Sequence, residues 1–296
     1  MSRRRRWAMF IVAMVEAMLW SGNIFGWASL VHVLKLQGVY SNLCPLDPTH
    51  DAYTTDLNVT TPAGLNATSS LIHNKTGFVC PPQDDRMALL YTVACVVYAT
   101  PGIVIGYALH HFGLAFTRVT GGLMVSCGFV LLSFTSQATP NYLWGATLLL
   151  AIGGNTIRMS GLQYGNLFPE HRNTAMAIIS GVFTPSAGIM MLVQTMYEGG
   201  MAWHKICWVF AMASFMVVAL TPLMPRHHIP MSLEPENHGC QDNQVEKRQS
   251  SLKMSIFSVS SMLHAYWIFI NMLGVTLFNT HFNTWINKFS QTEEEG

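Results

Sequence analysis

Six polar side chains in this sequence stand where each needs a partner, and where together they could line a path for a solute. Glu16, Asn23, Asn155, Arg158, Thr184 and Ser186 each fall inside a long apolar stretch. An ionised or unpaired polar group in such surroundings is costly and faces a partner or a water-filled path. Glu16 lies about nine residues into the first stretch, and Asn23 follows at i+7 on the same helical face. Both could look into a solute pathway, and both could instead hydrogen-bond a neighbouring helix. Arg158 follows Asn155 by three residues, again on one face. Arg158 could meet Glu16 as a buried ion pair, or extend its stem to place the guanidinium at the membrane surface. Thr184 and Ser186 flank Pro185, and Thr100-Pro101-Gly102 repeats the pattern in another stretch. Proline removes a backbone donor, so both helices are expected to bend there. Gly102 and Gly106 have the spacing of a close helix contact.

This chemistry is hydrogen bonding and charge pairing, suited to holding a small polar solute. It is not catalytic. The sequence contains no G-x-S-x-G, H-E-x-x-H or P-loop pattern. The doublets His110-His111 and His227-His228 are poor chelators, because adjacent residues on a helix point about 100° apart. Neither a metal nor a cofactor is expected, and the chain does not read as an enzyme.

The elements that must position these groups are transmembrane helices. Half of the residues are hydrophobic and only 10% are charged, against about a quarter charged in soluble domains. Lipid must therefore cover much of the surface. The formal net charge of +1 gives no reason to expect a nucleic-acid partner. A spanning helix needs about 20 mostly apolar residues. Seven stretches qualify: 7–33, 87–109, 117–137, 142–162, 174–196, 203–224 and 262–282. The class is an all-α polytopic membrane protein.

Two connections are long. Residues 35–86 carry three N-glycosylation acceptor patterns, at Asn58, Asn66 and Asn74. Cys44 and Cys80 lie near the two ends of the same loop, where a disulfide would clamp its base in an oxidising compartment. The other long connection, 225–261, is polar. If the helices alternate, Arg3–Arg6, the turn with His110, His111 and Arg118, the turn with His171 and Arg172, and the basic residues of 225–261 share one side. The glycosylation loop and the acidic Glu293–Glu295 fall on the other. The positive-inside rule then places the N-terminus in the cytosol and 35–86 outside. A G-protein-coupled receptor has the reverse orientation.

Gly106-Tyr-Ala-Leu-His110-His111-Phe-Gly113 resembles the major facilitator loop motif G-x-x-x-D-R-x-G, with histidine at both charged positions. The resemblance makes Gly106, His110, His111, Gly113 and Arg118 a gating loop, while the two histidines remove its usual ion pair. Glu16 followed by Phe25-Gly-Trp-Ala-Ser-Leu30 resembles the opening of the solute carrier 43 family. Gly165-Asn-Leu-Phe-Pro-Glu-His-Arg-Asn-Thr174 and Leu223-Met-Pro-Arg-His-His-Ile-Pro230 are similar to its equilibrative nucleobase transporter branch more than to its L-type amino-acid branch. The resemblance implies two six-helix halves with the solute between them, and a plasma-membrane uniporter of purine nucleobases. Large neutral amino acids are the alternative cargo, and a truncated, non-transporting membrane protein is the alternative role. On this pattern residues 1–224 are a six-helix half, 225–261 a cytosolic loop, and 262–296 a seventh helix with a short tail. The chain is then expected to be an incomplete copy that needs the missing C-terminal half, or a second chain, to transport.

Overall fold

A computed structural model describes residues 3–44, 80–224, 258–260, 262–263, 266–267 and 269–278. The described residues are helical, without a strand. Among the described residues before 225, nine α-helices make six crossings of one bundle. The first crossing is α1 (Arg3–Trp20) and α2 (Trp27–Leu36), separated by a 3-10 turn at Asn23–Gly26. The second is α3 (Pro81–Ala99) and α4 (Gly102–His111). Uninterrupted helices α5 (Gly113–Ser133) and α6 (Tyr142–Leu162) follow. The fifth crossing is α7 (Arg172–Val182) and α8 (Gly188–Glu198), joined by a 3-10 turn at Thr184–Ala187, and the sixth is α9 (Trp203–Leu220).

Five of these crossings are long and apolar enough to span a membrane: Arg3–Leu36, Pro81–His111, Gly113–Ser133, Arg172–Glu198 and Trp203–Leu223. The exception, α6, matches them in length at 21 residues. Asn155, Arg158 and several glycines make it more polar. Its location removes the conflict, because α6 packs against α1, α3, α4, α5 and α7 and meets protein on most of its faces. The expected seventh span, 262–282, is described as a short apolar helix over Phe269–Phe278. Ten residues rise about 15 Å, half of a hydrocarbon core. The remainder of that expectation lies outside the described residues.

The crossings alternate, as the charge argument requires. At one end the Trp7 and Phe10 rings meet Phe168, 4.9 and 5.3 Å away, so the N-terminus packs on the α6–α7 connection. Leu109, Leu114 and Met224 join the same apolar cluster. At the other end a disulfide joins Cys44 to Cys80, with Cα atoms 5.8 Å apart. Lys35 pairs there with Asp84, His32 approaches Glu198 at 3.5 Å, and Gln137 donates to Ser41 across 2.8 Å. The expected Cys44–Cys80 bond is present. Asn58, Asn66 and Asn74 lie outside the described residues.

Candidate functional site

Three crossings are interrupted, each for a local reason. Thr100-Pro101 ends α3, and Thr184-Pro185 ends α7, as the prolines predict. The interruption between α1 and α2 has no proline. Ser21-Gly22 begins it, and the Ser21 hydroxyl turns back onto the Ala17 carbonyl. A Gly/Ser pair is a known cause of a kink, and this signal was missed in the sequence.

The interruptions of the first and fifth crossings interlock. A Cβ on Gly22 would stand 2.4 Å from Ser186 Oγ and 2.5 Å from the Phe183 ring. A Cβ on Gly26 would stand 2.3 Å from the Ala187 carbonyl oxygen. Only glycine admits such an approach. Asn23, with its NH2 group towards both acceptors, donates to Leu19 O (2.8 Å) and Ser186 O (3.1 Å). Ser186 Oγ donates to Phe183 O at 2.6 Å. Asn23 and Ser186 are thus buried fasteners between helices, whereas Thr184 is exposed. Among the described residues, nothing lies within 4 Å of a Cβ on Gly106, and the nearest atom to one on Gly102 is the flexible end of Met159 at 3.8 Å.

Around this interlock three aromatic rings converge from three interruptions. Phe25 meets Tyr98 edge-on at 5.1 Å and Phe183 edge-on at 5.3 Å, while Tyr98 and Phe183 lie 6.2 Å apart. Arg158 brings its guanidinium over the Phe183 ring, 5.2 Å from the centroid. Asn155, one turn earlier on α6, donates to the Tyr98 carbonyl at 2.7 Å and so ties α6 to the end of α3. The Tyr98 hydroxyl lies alongside the Arg158 guanidinium. Asn155 Oδ1 and Arg158 Nε are buried without a hydrogen bond, and the Tyr98 hydroxyl has capacity left beyond its contact with Arg158. A buried polar atom left unpaired costs about 1–3 kcal/mol. Such a group of aromatic faces and unused polar atoms can hold a small, flat, polar molecule. Asn155 and Arg158 were expected here. Phe25, Tyr98 and Phe183 were not, because an aromatic residue in an apolar run carries no signal of its neighbours.

Glu16 and Arg118 form a second, separate arrangement. Arg118 Nη2 donates to both carboxylate oxygens of Glu16, at 2.8 and 2.6 Å. Arg118 is only 1% exposed and Glu16 only 4%. The Tyr164 ring lies 5.5 Å from the guanidinium carbon. Two readings are corrected by this pair. Arg158 is not the partner of Glu16; it stacks on Phe183 instead. Arg118 is not a charge of the gating turn, because α5 begins at Gly113 and places Arg118 more than one turn inside the helix. The turn is correspondingly tight: only Phe112 separates α4 from α5, and Gly113 adopts φ +84°. That left-handed conformation accounts for the final glycine of the loop motif. His110 and His111 stand in the last turn of α4, with their rings 5.7 Å apart.

A family model, the Major Facilitator Superfamily, matches residues 58–295. The chain belongs to that superfamily. It is a family of membrane transporters rather than of enzymes. Equilibrative nucleobase transporter 1 of Bos taurus is 28% identical over 235 residues, which are 79% of this chain and 44% of that protein. Large neutral amino acids transporter small subunit 3 of Homo sapiens is 26% identical over 206 residues, 69% of this chain and 34% of that protein. Arginine transporter 1 of Toxoplasma gondii is 24% identical over 218 residues, with 73% and 37% covered. The matched stretch covers less than half the length of each of these relatives. The first two carry the names of the two solute carrier 43 branches that the sequence resembles.

Proposed function

We propose that this major facilitator bundle is one wall of a uniporter for small organic solutes, with purine nucleobases as its cargo. One observation carries the reading: the interruptions of the first, second and fifth crossings converge on Phe25, Tyr98, Phe183 and Arg158. Transporters bind their solutes near the membrane midplane at such discontinuous helices. The likeness to equilibrative nucleobase transporter 1 supports the choice of cargo.

Phe25, Phe183 and Arg158 are partly exposed, so the cluster is open on one side. Enclosing a solute there takes a second wall, from a C-terminal half or from a second chain, and the two walls rock around it in alternating access. The 296 residues by themselves are not expected to transport. Plasma-membrane residence, a cytosolic N-terminus, and a gate at Gly106, His110, His111 and Gly113 complete the proposal. The interlocked Asn23 and Ser186 hold the wall in shape, and Asn155, Arg158 and Thr184 border the path. Glu16, paired with Arg118, fixes α1 to α5 beneath it.

Uptake of labelled adenine against labelled leucine, in cells expressing the full-length transporter, tests the proposal. Saturable adenine uptake that excess hypoxanthine suppresses supports it. Leucine uptake without adenine uptake moves the cargo to large neutral amino acids, the class named in the second relative. Uptake of neither, with the protein at the cell surface, refutes transport of both.

A further inference from the structure

The aromatic cluster leaves three buried polar atoms with hydrogen-bonding capacity to spare, and their types differ. Asn155 Oδ1 can only accept a hydrogen bond, Arg158 Nε can only donate, and the Tyr98 hydroxyl can do either. Asn155 Oδ1 and Arg158 Nε have no hydrogen-bond partner among the described residues, and the Tyr98 hydroxyl has only the Arg158 guanidinium beside it. Tyr98 is 5% exposed and Asn155 2%, so water at the surface does not serve them. Unpaired buried polar atoms are uncommon in folded proteins, and several together call for a ligand or an ordered water. These three arise from two crossings, α3 and α6, and are bordered by the rings of Phe25 and Phe183.

We propose that Asn155, Tyr98 and Arg158 read the hydrogen-bonding edge of a planar, uncharged nitrogen heterocycle, and that Phe25 and Phe183 hold its plane. The inference rests on the transport reading and assigns its cargo to particular atoms. A purine edge alternates ring nitrogen acceptors with N–H donors and so complements an acceptor, a donor and a group that is both. A free amino acid fits less well. Its ammonium needs a carboxylate or a ring of acceptors, and no carboxylate is among the groups that the contacts of this cluster bring together. Glu16 is held by Arg118, Asp84 by Lys35, and Glu198 sits at the disulfide end beside His32 and Gln194. The single basic group, Arg158, is stacked on an aromatic face, a setting that suits a flat neutral partner.

Equilibrium binding of tritiated adenine, hypoxanthine and leucine to the full-length transporter in membranes tests this. The variants are Tyr98→Phe and Arg158→Gln, each with its thermal unfolding measured alongside. The wild type should bind adenine and not leucine. Each variant should bind adenine about tenfold more weakly or worse, a loss of about 1.4 kcal/mol, at an unchanged unfolding temperature. The ratio of adenine to hypoxanthine binding should change as well, because the two purines differ in the edge being read. Wild-type binding retained by both variants overturns the proposal. So does a loss that is equal for both purines and accompanied by a lowered unfolding temperature, which marks a structural role. Leucine binding in place of adenine overturns the heterocycle while leaving transport standing. Binding of none of the three by folded protein also overturns it, and uptake in cells then decides the transport reading separately.

Discussion

At the scale of single residues, Glu16 and Arg118 form a buried ion pair between α1 and α5. Burying two charges costs several kcal/mol each, and only good geometry and mutual attraction offset that cost. Here one guanidinium nitrogen serves both carboxylate oxygens, and the pair is almost completely enclosed. Removing one partner leaves the other buried and uncompensated, which typically costs about 3–5 kcal/mol. Glu16→Ala is therefore expected to lower the unfolding temperature in detergent sharply and to reduce the amount reaching the membrane. Arg118→Met alone should do the same. The double variant Glu16→Ala with Arg118→Met should recover much of the loss, since it leaves no buried charge. Unfolding of all the variants, arranged as a double-mutant cycle, measures the coupling. A coupling near zero would reduce the pair to ordinary packing. Glu16 was visible in the sequence as a buried acid with an unknown partner. Its partner lies 102 positions away, a separation that no periodicity reveals.

At the scale of elements, the first and fifth crossings are locked by backbone proximity rather than by side-chain bulk. Lipid tails are as apolar as leucine, so helices in membranes associate through close packing and hydrogen bonds between small residues. Gly22 and Gly26 allow the approach, and Asn23 bonds across it. Gly26→Val should separate the two crossings, because its Cβ would meet the Ala187 carbonyl oxygen and Met190 Cβ at 2.3 and 2.7 Å. The expected result is a strongly destabilised protein, with a loss of several kcal/mol as in other overpacked cores. Gly106→Ala is the opposite case. The site is open and lies inside α4, so the substitution should be neutral or stabilising by up to about 1 kcal/mol. Thermal unfolding of the two variants side by side checks both statements.

For the whole molecule, the disulfide and the alternating topology bear on each other. Cys44 and Cys80 are 36 positions apart. Closing a loop of that size restricts the unfolded chain by about 3–4 kcal/mol in the chain-entropy model. Replacing both cysteines with serine should lower the unfolding temperature, and non-reduced peptide mapping of surface protein should recover the linked pair. The same end of the bundle receives the loop that carries Asn58, Asn66 and Asn74. If the N-terminus is cytosolic, at least one of the three is glycosylated and glycosidase treatment shifts the protein on a gel. An unshifted protein, with the loop cut by proteases from the cytosolic side, reverses the topology.

Some of this molecule was decided by the sequence alone. Few charges and long apolar runs require helices that satisfy their own backbone in lipid, so the class and the six described crossings follow from local composition. Proline interrupts a helix wherever it falls, so Pro101 and Pro185 marked two of the three interruptions. Cys44 and Cys80 were the cysteines of one polar loop, and their pairing followed. The tertiary structure alone decided how the helices are rotated and set in height against one another. A helix apolar on all sides does not state which face meets lipid and which meets protein. That is why α6 reads as only moderately apolar yet lies inside, and why Arg118 reads as a loop charge yet is buried against Glu16. It is also why Phe25, Tyr98 and Phe183, unremarkable in three separate apolar runs, come together: their positions depend on where three helices are interrupted, and on a close approach that only glycine permits.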